Sequence, residues 1–179
     1  MRRLIALTLL ALLPLAGYSR RPEDFSLSAT VTRGERSRDS HSQTTRITLK
    51  GRELIYEKSY SGFRGGAKSA PVKKSFRIKD EDLELLKKLV RDNELLASDA
   101  LAVEGPEGGV RRYFEIELNI NLDGKKSSIE ISGPRNAADI REKKIYRKTN
   151  ALLDALYKLL AEQDKEIGYE NRDLIISGQ

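Results

Sequence analysis

Between Tyr113 and Ser132 the chain changes from apolar to polar at almost every step. Phe114, Ile116, Leu118, Ile120 and Leu122 alternate with Glu115, Glu117, Asn119 and Asn121, which is the period of a strand with one buried face. Asp123-Gly124 supplies the two positive φ angles of a type I′ turn. A two-residue turn there sets Leu118 against Ile129 and Ile116 against Ile131, so both strands present one apolar side. A three-residue loop would put Leu118 against Ser128, which a buried face does not tolerate.

The same alternation runs through Phe25, Leu27, Ala29 and Val31, and resumes at Thr45, Ile47 and Leu49. Between them, residues 33–43 carry no apolar side chain and read as a solvated loop. Lys50-Gly51 offers a second turn that pairs Ile47 with Leu54 and Thr45 with Tyr56. The glycine-rich stretch 61–71 connects to a further strand at Val72, Phe76 and Ile78. Asp80, Glu81 and Asp82 mark a helix start, because carboxylates there oppose the dipole and meet free amides. Its apolar stripe is Leu83, Leu86 and Val90, flanked by Leu85 and Leu89, and Asn93 ends it. Leu95-Leu96 tucks under the sheet, and residues 98–110, with Gly105-Pro106 and Gly108-Gly109, form an irregular link. Ile145, Thr149, Leu152, Leu156 and Leu159 lie on one face of a second helix over residues 141–163. The order predicts an α+β domain: an antiparallel sheet of about five to six strands, two helices packed on one face, and the other face wet. Residues 20–163 form this single domain; 164–179 are a polar tail in which Leu174-Ile175-Ile176 reads as either a strand or a sticky end.

Residues 1–19 alter the picture. Arg2 and Arg3, an apolar run over residues 4–13 and small residues at Ala16, Gly17 and Ser19 have the form of a secretory signal peptide, too short to span a bilayer. The expected location is therefore secreted or periplasmic, with no transmembrane anchor in the mature chain. Leu15-Ala16-Gly17 matches the start of a lipoprotein box, but Tyr18 occupies the position of the lipid-bearing cysteine. The chain has no cysteine, so its fold rests on packing rather than disulfides. Its net charge of +6 falls to +4 without Arg2 and Arg3, which favours anionic surfaces without naming one.

Candidate chemistry is sparse. His41 is the single histidine and lies in the most hydrophilic stretch; with no cysteine, the usual zinc ligands are missing, and no cofactor or metal is expected. Ala67-Lys68-Ser69 lacks the glycine of a phosphate-cradling Walker loop. The hairpin register sets Glu117 opposite Glu130, either a weak cation site or acid pair, or two solvated glutamates answered by Arg46 or Arg52 of a next strand. Lys143, Lys144 and Arg147 point away from the apolar stripe of the second helix, within a basic run that also holds Arg135, Arg141 and Lys148. This is either a contact for an anionic envelope polymer or acidic protein surface, or an ordinary solvated helix face diluted by Asp139 and Glu142. The wet sheet face (Ser26, Ser28, Thr30, Thr32, Thr48, Asn119, Asn121, Ser128, Glu130) offers polar groups but, apart from Tyr113, no aromatic platform. No tryptophan is present and no aromatic run alternates with the basic residues, so nucleic acid is not an expected partner.

The segments 80–90 (Asp-Glu-Asp-Leu-Glu-Leu-Leu-Lys-Lys-Leu-Val) and 113–118 (Tyr-Phe-Glu-Ile-Glu-Leu) lie in an order of strands, acidic-led helix, aromatic-led hairpin and closing helix. That layout resembles the emfourin-like inhibitors of thermolysin-type metalloproteases, and the resemblance implies an inhibitor contacting its target through a loop such as 61–71. The glycine-rich segment of that family's first strand is not recognisable here, so no site residue is carried over. The residues themselves point to an exported, non-catalytic binding module of the cell envelope or secreted fraction, with Lys143, Lys144, Arg147, Glu117 and Glu130 as its candidate ligand contacts. The alternative is the protease inhibitor.

Overall fold

A computed structural model of the chain describes residues 25–35, 40–62, 70–103, 112–134, 140 and 142–167. Seven strands form one sheet: β1 (Phe25–Glu35), β2 (His41–Lys50), β3 (Glu53–Ser61), β4 (Val72–Arg77), β5 (Asp99–Ala102), β6 (Arg112–Leu122) and β7 (Lys125–Pro134). Their spatial order is β4-β3-β2-β1-β6-β7-β5, antiparallel throughout except for β5 beside β7. Two long helices, α1 (Asp80–Asp92) and α2 (Lys144–Gln163), contribute their buried residues to the same core as the apolar sides of the strands. The fold is α+β, with a larger sheet than the five to six strands expected.

The extra strand is β5. Residues 99–102 lie in the segment read as an irregular link because its glycines and proline dominate the pattern. Edge strands are often very short, and four residues are too few to display an alternation. The edge is blunted locally: the Asp99 carboxylate accepts the Ala100 N–H at 2.8 Å.

The anchoring hairpin has the expected register. Leu118 pairs with Ile129, Ile116 with Ile131 and Glu117 with Glu130, and Asp123 and Gly124 take φ of 55° and 80°. The β2–β3 hairpin keeps the expected facing but slides by two residues: Ile47 pairs with Tyr56 and Leu49 with Leu54. Gly51 takes φ of 57° at the first central position of the turn, and a two-residue slide leaves every side chain on its own face. Residues 33–35 and 41–43 of the expected loop are strand, and 36–39 lie outside the described residues. β1 continues to Glu35 and β2 begins at His41, with Glu35 paired to both His41 and Arg112. Backbone pairing with a long neighbour carries these polar residues into the ladder.

Both helices bury the expected stripe, broadened by further residues. In α1 the buried residues are Leu86, Lys87 and Val90, while Leu85 is 49% exposed. Positions 83, 86, 87 and 90 share a face at helical spacing, so Lys87 lies inside it and its ammonium reaches Glu84 at 2.9 Å. In α2, Tyr146, Leu153, Tyr157 and Leu160 join Thr149, Leu152, Leu156 and Leu159, whereas Ile145 is only half-buried. Tyr146 meets Phe114 edge-on at 6.4 Å. α1 ends in a Schellman arrangement: Glu94 N–H donates to Arg91 O and Leu95 N–H to Val90 O, both at 3.0 Å, with Glu94 at φ 54°. This turn drives Leu95 into the core, fully buried. Beyond α2, Ile167 is also buried and Lys74 of β4 bonds Asp164, so the packed domain extends past Gln163. Residues 1–24, which include the expected signal peptide over 1–19, and residues 168–179 lie outside the described residues. No described helix is long and apolar enough to cross a membrane.

Candidate functional site

The even-numbered positions of β1 point away from the core, and the register carries that face across the sheet. One row reads Lys50, Ser26, Asn121, Lys126; the next Thr48, Ser28, Asn119, Ser128; a third Arg46, Thr30, Glu117, Glu130. No described helix covers this face, as an antiparallel sheet permits. The short side chains of Ser26 and Ser28 on central β1 leave a shallow trough of about 250 Å³, walled by Thr48, Asn119 and Asn121 and flanked by Lys50 and Lys126. The Asn121 carboxamide oxygen is buried and accepts no hydrogen bond among the described residues.

Glu117 and Glu130 do face one another, but the basic residues expected to answer them are elsewhere. β1 lies between β6 and β2, so Thr30 is the neighbour of Glu117 and Arg46 is one strand further away. Arg46 instead faces Glu57, whose carboxyl is held below the usual glutamate range first by its bond from Lys73 and further by the charges of Lys73 and Arg46. Arg52 is paired with Asp80 at the start of α1. Glu117 is answered from its own strand by the Asn119 amide at 2.7 Å. Both glutamates stand exposed on the sheet surface.

Lys143, Lys144 and Arg147 are all exposed at the start of α2. Lys143 forms the N-cap and its backbone carbonyl accepts from Arg147 N–H at 3.1 Å. Lys144 lies 3.8 Å from Glu94, which also accepts from Lys148; the Lys148 bond above all holds the Glu94 carboxyl below its usual range. Part of this positive patch is therefore spent joining α2 to the end of α1. Arg135, Asp139 and Arg141 lie outside the described residues, as do residues 63–69 of the proposed inhibitor loop. Because α2 packs on the covered side, the basic patch and the glutamate pair belong to opposite sides of the sheet and do not form one site.

His41 occupies the start of β2, its imidazole 4.0 Å from the Glu35 carboxylate and 43% exposed. Among the described residues no group of three His, Cys, Asp or Glu side chains is placed to hold a metal ion. Lys50 and Lys126, which flank the trough, were not among the expected contacts. Their parity with Thr48 and Ser128 along the strands places them on the wet face, a signal present in the sequence; their nearness to each other required the strand order. No protein-family model matches the chain, and no curated protein matches it.

Proposed function

We propose that this protein is an exported, non-catalytic binding module that engages a polymer or protein of the cell envelope through the uncovered face of its sheet. The observation that supports this reading is the trough: a shallow depression over the central strands, its exposed surface mostly aliphatic carbon with serine, threonine and asparagine side chains around it, on a face that no described helix covers. A site on strands of a seven-stranded sheet is held by its ladder and loses little entropy on binding. The export signal supports an envelope partner, and the small net positive charge suits an anionic one.

The test is retention of the purified chain on envelope extract, comparing wild type with Ser28→Arg and with Lys143→Gln/Lys144→Gln/Arg147→Gln. The long arginine fills the trough while its backbone stays in the ladder. Loss of retention by Ser28→Arg with the triple variant unchanged is the expected result. Retention abolished only by the triple variant moves the site to α2, and no retention by wild type removes the reading. The inhibitor alternative rests on loop 61–71, and no specific observation favours it; titration against a thermolysin-type protease at micromolar concentration tests it directly.

A further inference from the structure

We draw no further inference here: the strongest candidate, the surface patch at the start of α2 where the exposed Lys143, Lys144 and Arg147 stand at a first turn that no side chain caps, rests on a helix terminus and surface cations alone, which select no ligand, and Lys144 already faces Glu94.

Discussion

Leu118→Ala is the substitution that interrogates the sheet at its centre. Leu118 is fully buried on β6, paired with Ala29 of β1 on one side and Ile129 of β7 on the other. Ala29 has no side chain to swing into the space, and Ile129 is itself fully buried and β-branched, so its rotamers are few. The void therefore stays open, which puts the loss in the upper part of the usual Leu→Ala range, about 4 kcal/mol. For a domain of this size that lowers Tm by roughly 8–16 °C. With a urea m-value of about 2 kcal/mol/M the midpoint moves down by about 2 M. Equilibrium urea unfolding followed by circular dichroism measures it, with m required to stay constant. Leu101→Ala on the half-buried edge strand β5 is the control, expected to cost about 1 kcal/mol. A Leu118→Ala loss under about 1 kcal/mol at unchanged m would refute the placement of β6 between β1 and β7.

Gly62→Ala should destabilise the β3 end strongly, since Gly62 has φ of 80° and an added Cβ would lie 1.9 Å from the Ser40 carbonyl oxygen; amide exchange of β2 and β3 rises ahead of the rest. Gly124→Ala meets open space and carries only the positive-φ penalty, about 1 kcal/mol by urea unfolding, with the β6–β7 register retained in cross-strand NOEs. Glu57, Glu94 and Asp164 are each bonded by a lysine that holds the carboxyl below its ordinary value of 4.5 for Glu or 3.8 for Asp. A depressed carboxyl contributes stability above its unfolded value and loses it as pH falls toward its folded one, so the urea midpoint should drop below about pH 4.5. Asp164→Asn should flatten that acid limb. Asp154, raised first by burial and lowered by Lys158, acts in the opposite sense: its contribution is lost as pH rises above 3.8.

Strand facing was legible in the sequence because it is a local property. Successive side chains point to opposite sides of a strand, so the parity of Phe114 through Leu122, and of Phe25 through Val31, assigns each residue to core or surface before any partner is known. A turn whose residues both require positive φ adds register, and Asp123-Gly124 leaves a single solution. At Lys50-Gly51-Arg52 two solutions two residues apart satisfy the same facing, and the position of Gly51 in the turn decides between them. Lys87 shows the limit from the other side: its charge argues for exposure, while its place on the helix puts it under the core.

By itself, then, the chain's pattern determined which face of each strand and roughly which stretches of helix are buried, and with them the α+β class. The order of the strands came only with the tertiary structure, because pairings between distant segments depend on how all the apolar faces are covered together. That order puts β1 between β6 and β2, removes Arg46 from Glu117, joins β5 to β7 and sends Lys144 and Lys148 to Glu94. It also brings Lys50 and Lys126, 76 positions apart in the chain, to the two sides of one trough with serines as its floor. A surface made of one or two residues from each of four strands has no contiguous signature in sequence, since its members share a row across the sheet and not a run along the chain.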